Sequence, residues 1–413
     1  MDQHDTKNAP GALSSGCIIV NYRSPWEMLE RCLRSVLRQA DTGVTCTVTL
    51  VDNASGDGVI EQVRHEFPEV NIIEMPGNPG FAAAVNRGLE EVDEPLVLML
   101  NTDAVLAEGA LARMVAVLEN ASEDVAGVAP KMMSSSHEGI IDAIGIVLPP
   151  TGAAFNRGIG QCDLGQYDSP EEVAGVCFGA GLLRRELFRP DQVGTLYEGY
   201  FLYFEDSDWC MRAVTQGYRF LTAPDAVVLH MHSGVTRNES LDLKYGLIEL
   251  NTLKMVTRNF ESRVRVAHIV TARCLRLLAR TFIRRKFIGP NLNTIAAYFV
   301  GLRQLLEERR ALKAKRAVTD AKLFMMAEGE DAYFDTVAYK PDRCLDSLID
   351  TYLRLLKKGR DPELGKLLAT LYQVSREAKA GPMADVDEKT RKLFAGQPPC
   401  VQELLSRSSW DQV

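Results

Sequence analysis

The sequence lacks any apolar run approaching the ~18 residues that a membrane-spanning helix needs. Its first thirteen residues are polar, include Pro10 and Gly11 and hold no apolar core, so no secretory leader is expected. No CxxC pair occurs, and the nine cysteines are odd in number and scattered. That argues against a disulfide framework or a zinc knuckle and for reduced thiols in the cytosol. Neither an internal repeat nor a low-complexity tract is present. Nor is there an excess of positive charge: 47 Lys and Arg stand against 55 Asp and Glu, a net charge of −8, which disfavours nucleic-acid binding along the chain. One segment departs from this: Ser262 to Arg316 carries fourteen Lys and Arg against two Glu, or +12, leaving −20 on the remainder. A local anionic surface is the expected partner of that segment.

What is present is the composition of a soluble globular protein, with 46% hydrophobic and 25% charged residues. At 413 residues, two domains or one domain plus an extension are expected. From Gly16 to about Leu118 strand and helix patterns alternate. Strands read at Cys17–Val20, Thr45–Val51 and Asn71–Glu74, and helices follow with apolar positions at helical spacing, Met28, Leu29, Leu33, Val36 and Leu37 in the first. Such alternation implies a parallel sheet with right-handed crossovers. The stretch 125–235 is less regular, with strand-like pieces at Val125–Pro130, Ile144–Leu148, Val176–Leu183, Phe220–Thr222 and Ala226–His230, and reads as the acceptor half of the same domain. Beyond Asn251 long helices take over: Val264–Phe287 is broken by Gly289-Pro290, and Leu345–Leu356 and Leu364–Leu371 flank a turn as a helical hairpin.

The residues that carry chemistry sit where apolar runs stop. Pro95-Leu-Val-Leu-Met-Leu100 reads as a strand buried on both faces, and Asn101-Thr102-Asp103 follows at its carboxyl end, where open α/β sheets place their ligands. A carboxylate there, with no basic neighbour in sequence, suits a divalent cation gripping a diphosphate. Asn21-Tyr22, Asp52-Asn53 and the loop around Asn78, Gly80 and Asn86 occupy equivalent ends. Asp52 can accept the imide N–H of a uracil or thymine ring, Gly80 permits close backbone approach, and the helix after it offers its amino end to phosphate. Taken singly, VDNASGDG also reads as an Asx turn and NPGF as a helix cap. Farther on, an aromatic strand-like run precedes Glu205, Asp206 and Asp208; crowded carboxylates raise one another's pKa, which fits general-base work on a sugar hydroxyl, or simply an acidic helix amino end. His230 ends another short strand and can complete a metal's ligand set with Asp103.

In order, IIVNYRSPWEMLERCLRSVLRQ, VDNASGDG, NPGFAAAVNRG, LVLMLNTDAVL, GAGLLRRELF, YFLYFEDSDWCMRAVTQGYRF and APDAVVLHMHSG resemble the family 2 glycosyltransferases, nearest their bacterial rhamnosyltransferase-like subgroup, over roughly residues 15–240. The resemblance implies an α/β GT-A fold (a Rossmann-like nucleotide-diphospho-sugar transferase domain) with a C-terminal α-helical extension. It also implies an inverting, metal-dependent transfer. By position, Asp52 resembles the base-reading acid, Asp103 the metal-binding acid of the DXD-type motif, Asp206 the catalytic base with Glu205 beside it, and His230 the late metal-site histidine. Asn21, Tyr22, Asn78, Gly80, Asn86, Asn101 and Thr102 are then expected around the donor nucleotide, and Mg²⁺ or Mn²⁺ as cofactor. Asn101 stands where many relatives have Asp, so one acid alone touches the cation directly.

The expected organisation is a disordered N-terminus over 1–14, a GT-A domain over 15–258, basic amphipathic helices over 259–320 and a helical extension over 321–413. The expected donor is a dTDP- or UDP-sugar, with dTDP-L-rhamnose first. The expected acceptor is a saccharide or polyprenyl-linked saccharide of bacterial surface polysaccharide synthesis, on the cytoplasmic face of the plasma membrane. Within 262–316, Arg265, Arg273, Arg276, Arg280 and Arg284 share one helical side with Val270, Leu275, Leu278 and Phe282 largely opposite, which suits peripheral contact with an anionic membrane or a solvated arginine face against the domain. The tail is a candidate for homo-oligomer contacts or a brace. Two other readings stay open beside a UDP-hexosyltransferase: a non-catalytic scaffold retaining the fold, and a sugar nucleotidyltransferase. Asn21-Tyr-Arg-Ser-Pro25 is not the glycine-rich basic loop of the latter.

Overall fold

The apolar runs become the centre of one mixed sheet in the computed structural model, which describes residues 14–327 apart from 136–138, 162, 164, 232–240 and 284–286. The first half alternates as expected: β1 (Ser14–Asn21), α1 (Trp26–Leu37), β2 (Thr45–Asp52), α2 (Val59–Glu66), β3 (Asn71–Glu74), α3 (Phe81–Leu89) and β4 (Leu96–Asn101). Then come β5 (Ala104–Leu106), α4 (Ala110–Glu119), β6 (Val125–Ser134), β7 (Ile141–Ala143), β8 (Ile146–Val147), β9 (Phe155–Asn156), β10 (Glu172–Val173), β11 (Ala180–Arg184), α5 (Glu205–Thr215) and β12 (Arg219–His230). Four helices close the described chain: α6 (Leu241–Asn259), α7 (Arg263–Ile283), α8 (Ile288–Lys315) and α9 (Asp320–Met326).

The strand order is β10-β12-β6-β11-β4-β1-β2-β3, with β5 on β12 and β7 on β6. Strands β1 to β4 are parallel, as read from the sequence. The second half is mixed: β11 runs antiparallel to both β4 and β6, while β12 is parallel to β6. Apolar periodicity reports that a strand is buried and says nothing of its direction, so this half was illegible locally. The chain leaves β1 towards β2 and β3, then returns to β4 on β1's other side. The carboxyl ends of β1 and β4 therefore flank a topological switch point, where a crevice opens.

Alternation along the strands builds two cores. Cys17, Ile19, Leu98 and Leu100 pack with α1, α2 and α4 on one face, whereas Ile18, Val97 and Met99 pack with α3, α5 and α6 on the other. Each fully buried aliphatic side chain contributes about 1.5–3 kcal/mol. Met255, Val256, Phe260 and Leu323 belong to the second core, so α6 and α9 share their interior with the sheet.

Three local expectations change. Ser14 begins β1, and residues 1–13 lie outside the described chain. Gly289-Pro290 falls in the first turn of α8, where proline's missing N–H costs nothing, so the pair starts a helix. The strand-like pieces at Phe220–Thr222 and Ala226–His230 form one strand, irregular between Ala223 and Val227. The helical hairpin expected over Leu345–Leu371 lies outside the described residues.

The basic segment is tied to the rest of the fold at several points. Arg273 and Arg276 reach back to Glu249 of α6 at 2.8 and 2.5 Å. Arg280 stacks on Tyr245 and Phe287, and Arg265 on Phe324. Arg309 binds the carbonyls of Thr257 and Glu261, and Lys315 those of Pro190 and Gln192. These cations stitch the helices to the domain, while Leu275 (60% exposed), Phe282 (84%) and Val300 (86%) face outward. Sequence periodicity separates two faces of a helix; only the partner in space decides which one turns inward.

Candidate active site

At the end of β1, the Asn21 amide donates to Asp52 Oδ1 at the end of β2 (2.7 Å) and to Ser55 Oγ (3.1 Å). Ser55 returns its backbone N–H to Asp52 Oδ2 (2.9 Å) and its hydroxyl to Oδ1 (2.5 Å). The pairing Asn21↔Asp52 in the β1–β2 register brings the two together. Three of the roughly four acceptor sites of this buried carboxylate are thus taken. Tyr22 lies beside it, its ring under the Arg23 guanidinium at 5.3 Å.

The loop at Asn78–Gly80 packs against a distant segment of the chain. Asn78 Oδ1 accepts the Gly80 N–H (3.0 Å), an Asx turn. Gly80 has φ +95°, and a Cβ there would collide with the Phe201 carbonyl. The first helical N–H, that of Phe81, donates to that same carbonyl at 2.8 Å, so it is not free for phosphate. Asn86 is equally committed: its amide group exchanges hydrogen bonds with the Leu196 backbone, both 2.9 Å, and donates to Glu198. Gly80 and Asn86 therefore brace the segment 196–201.

At the end of β4, the Asn101 N–H donates to Gly179 O (3.0 Å), and Thr102 Oγ1 meets Ser24 Oγ (2.8 Å). Asp103 follows. The antiparallel pair β5–β12 sets His230 opposite Ala104, and His230 Nε2 lies 3.1 Å from Asp103 Oδ1. The other ring nitrogen, Nδ1, lies 2.6 Å from Asp142 Oδ2. Burial disfavours the imidazolium, but hydrogen bonds to Asp103 and Asp142 overcome it and raise the ring's pKa to about 10. Asp142 was missed in the sequence reading. The available signal was a lone acid inside the apolar run Ile140-Ile-Asp-Ala-Ile144, a buried polar group that demands a partner.

The fit to a divalent cation can be tested on these distances. Two adjacent ligands in an octahedral shell of 2.0–2.1 Å radius stand about 3.0 Å apart, close to the 3.1 Å between Asp103 Oδ1 and His230 Nε2. Among the described residues no group of three or more His, Cys, Asp or Glu side chains gathers for a metal. The pair fits a cation whose remaining ligands come from a diphosphate and water.

The three acids of α5 have three fates. The aromatic residues before them form a bend and no strand, with Tyr203 and Phe204 both left-handed at φ 70° and 74°. Glu205 is buried, with Oε2 unpartnered among the described residues; burial, then the charge of Asp206, raises its pKa to about 8. Asp206 is half-buried, and burial raises its pKa against hydrogen bonds from Ser207 (N–H 2.5 Å, hydroxyl 3.1 Å) and from the Phe178 N–H (3.4 Å). Asp208 departs from the expected mutual upward shift. It points inward to Tyr200 OH, Asn259, Arg212 and Arg258, and the two guanidiniums outweigh its burial and lower its pKa.

Phe178 and Gly179 join the two halves: the Phe178 N–H meets Asp206, and the Gly179 carbonyl meets the Asn101 N–H. Asp206 is thereby linked, through two adjacent residues of one loop, to the end of β4 that leads into Asp103 and its partner His230. Such an arrangement can hold a nucleotide, a cation and a diphosphate, with a carboxylate beside them to take a proton.

Residues 17–189 match the model of glycosyl transferase family 2. Over 240 residues, 52% of this chain and 74% of the relative, the chain is 27% identical to the N-acetylglucosaminyl-diphospho-decaprenol L-rhamnosyltransferase of Mycobacterium tuberculosis. It is 25% identical to the low-salt glycan biosynthesis hexosyltransferase Agl10 of Haloferax volcanii over 202 residues, 48% of this chain and 60% of that relative. Among solved structures, GalNAc-T7 with UDP, GalNAc and Mn²⁺ superposes with a TM-score of 0.48 at 14% identity, covering 60% of this chain and 48% of that one.

Proposed function

We propose that the chain is a family 2 glycosyltransferase that performs an inverting, metal-dependent transfer of a hexosyl group from a nucleoside-diphosphate sugar. The observation that carries this reading is the joining of Asp103, His230 and Asp142 through one imidazole, with Asp206 tied to the same strand end through Phe178 and Gly179.

In this reading Asp52 and Tyr22 take the base, and Thr102 and the neighbouring Asn101 line the path to the diphosphate. Asp103 and His230 hold Mg²⁺ or Mn²⁺, which when bound neutralises charge on the departing diphosphate. Asp142 accepts a hydrogen bond from Nδ1 and so keeps Nε2 directed at the cation. Asp206 receives the acceptor hydroxyl's proton as that oxygen bonds to the anomeric carbon from the side opposite the diphosphate. Glu205, neutral at pH 7, adds no charge beside it. The donor is dTDP-L-rhamnose and the acceptor a polyprenyl-diphosphate-linked saccharide; the name of the mycobacterial relative supports the rhamnosyl group and the acceptor. The Haloferax relative supports another hexosyl donor as the second choice. The protein incubated with dTDP-L-rhamnose, UDP-galactose and UDP-N-acetylglucosamine, each with Mg²⁺ or Mn²⁺, should release dTDP from the first. Release from none of them would remove the reading.

No helix among the described residues is long and apolar enough to cross a membrane. For an acceptor on a lipid carrier, we propose peripheral contact through the outward apolar face of α7 and α8, flanked in sequence by Arg284-Arg285-Lys286. Vesicles of phosphatidylglycerol should then sediment the protein in high salt as well as low, and Phe282→Glu should abolish it. Sedimentation lost in high salt and kept by Phe282→Glu would overturn this apolar contact.

A further inference from the structure

We infer that Asn251, on α6 and outside the segment matched to the family model, is a positioning residue for Asp206; this rests on the reading of Asp206 as the base. The case starts from the backbone. Tyr203 and Phe204, immediately before α5, are consecutive non-glycine residues at φ 70° and 74°. Such residues persist only where their surroundings over-determine them, and they cluster where geometry matters to function. The Asn251 side-chain amide donates to Leu202 O at 2.8 Å and to Tyr203 O at 2.9 Å, the two carbonyls that bracket Tyr203. Asn251 is fully buried.

Other contacts hold the segment nearby without straddling the left-handed residues. Lys254 Nζ binds Gly199 O (2.7 Å), and the Phe81 N–H binds Phe201 O (2.8 Å). Downstream, the Asp208 N–H already closes the first helical turn on Phe204 O (2.9 Å). Asn251 thus holds the turn whose conformation sets where α5 begins and where the Asp206 carboxylate stands. Its own helix is a firm anchor: Asn259 donates to Asp208 (2.6 Å), Arg258 pairs with it, and Thr257 bonds Tyr298 (2.8 Å). Without the amide, Tyr203 relaxes towards the right-handed region and the carboxylate moves off line. A displacement of about 1 Å at a reacting group can cost 10²-fold in rate.

The test compares Asn251→Ala with Thr257→Val, which removes an equally buried hydrogen bond from the same helix. With dTDP-L-rhamnose, or whichever nucleotide sugar of the panel turns over, Asn251→Ala should lower kcat about 10- to 100-fold and leave the donor KM unchanged. Thr257→Val should lower the melting temperature and spare kcat. Adding Tyr203→Gly to Asn251→Ala should recover part of the lost kcat, because glycine holds φ 70° without a brace. Amide exchange over 202–208, which needs no substrate, should quicken in Asn251→Ala alone; Asn251→Ser serves if the alanine variant does not fold. A kcat within twofold of native, an equal loss in Thr257→Val, or unchanged exchange over 202–208 would each overturn the proposal. Full turnover by Asp206→Asn would instead remove the base assignment, leaving the exchange result to judge the brace.

Discussion

His230 Nδ1 stands 2.6 Å from Asp142 Oδ2, while its Nε2 faces Asp103 at 3.1 Å, so one acid orients the ring and the other shares its working end. Partners of this kind fix the tautomer of a metal-binding histidine. Asp142→Asn should therefore raise the Mn²⁺ or Mg²⁺ concentration needed for half-maximal turnover about 10- to 100-fold. A metal titration of nucleoside-diphosphate release checks this, and an unchanged midpoint would deny Asp142 the role.

Neighbouring acids with separate environments should separate in mutagenesis. Asp206→Asn should cost about 10²–10⁴-fold in kcat with donor affinity kept. Glu205→Gln should stay within about threefold, because a neutral amide replaces an already neutral acid. For the native enzyme, Asp206 must be ionised to act and burial raises its pKa, so kcat should fall with acidification from a pH above the ordinary carboxylate range. Equal losses in both variants would dissolve the division of labour.

Glu205 also makes a stability prediction whose sign follows from its titration. Its proton leaves near pH 4.5 in the unfolded chain and near pH 8 in the fold. Between those values the folded state holds a proton that the unfolded state lacks. Stability is therefore full below about pH 4.5 and declines as pH rises towards 8. Glu205→Gln removes the decline. Its melting temperature should match native at pH 4.5 and exceed it by roughly 5 °C at pH 8.5. A pH-independent difference contradicts a neutral buried Glu205.

Gly80 is fixed by space as well as by φ. A methyl group there meets the Phe201 carbonyl, the acceptor of the Phe81 N–H, in a conformation unsuited to L side chains. Gly80→Ala should destabilise the fold by about 2–4 kcal/mol. The check is a lower urea midpoint with an unchanged slope, and a midpoint equal to native would mean that the loop yields freely.

Much of this was legible before any coordinates. The apolar run Leu96–Leu100 ending in Asn101-Thr-Asp103 identified a doubly buried strand and the polar groups at its carboxyl end, because burial on two faces removes alternation. The positions of Asn21, Asp52 and Asp103 at strand ends followed from the same logic. The direction of β11 did not, since a strand's side-chain pattern reads the same in both senses. Nor did the inward turn of Asp208, whose neighbours Arg212 and Arg258 come one from its own helix and one from another fifty residues away.

The amino-acid order alone determined which residues are apolar at which spacing, hence the strands, the helices and the acids that end them. Tertiary structure decided which partners those acids meet. It gave His230 two carboxylates distant in sequence, left Glu205 Oε2 without a hydrogen-bond partner among the described residues, and paired Arg273 and Arg276 of α7 with Glu249. The physical reason is range: helix and strand patterning is local along the chain, whereas charge pairing and desolvation depend on distance in space, which only the packed sheet and helices set.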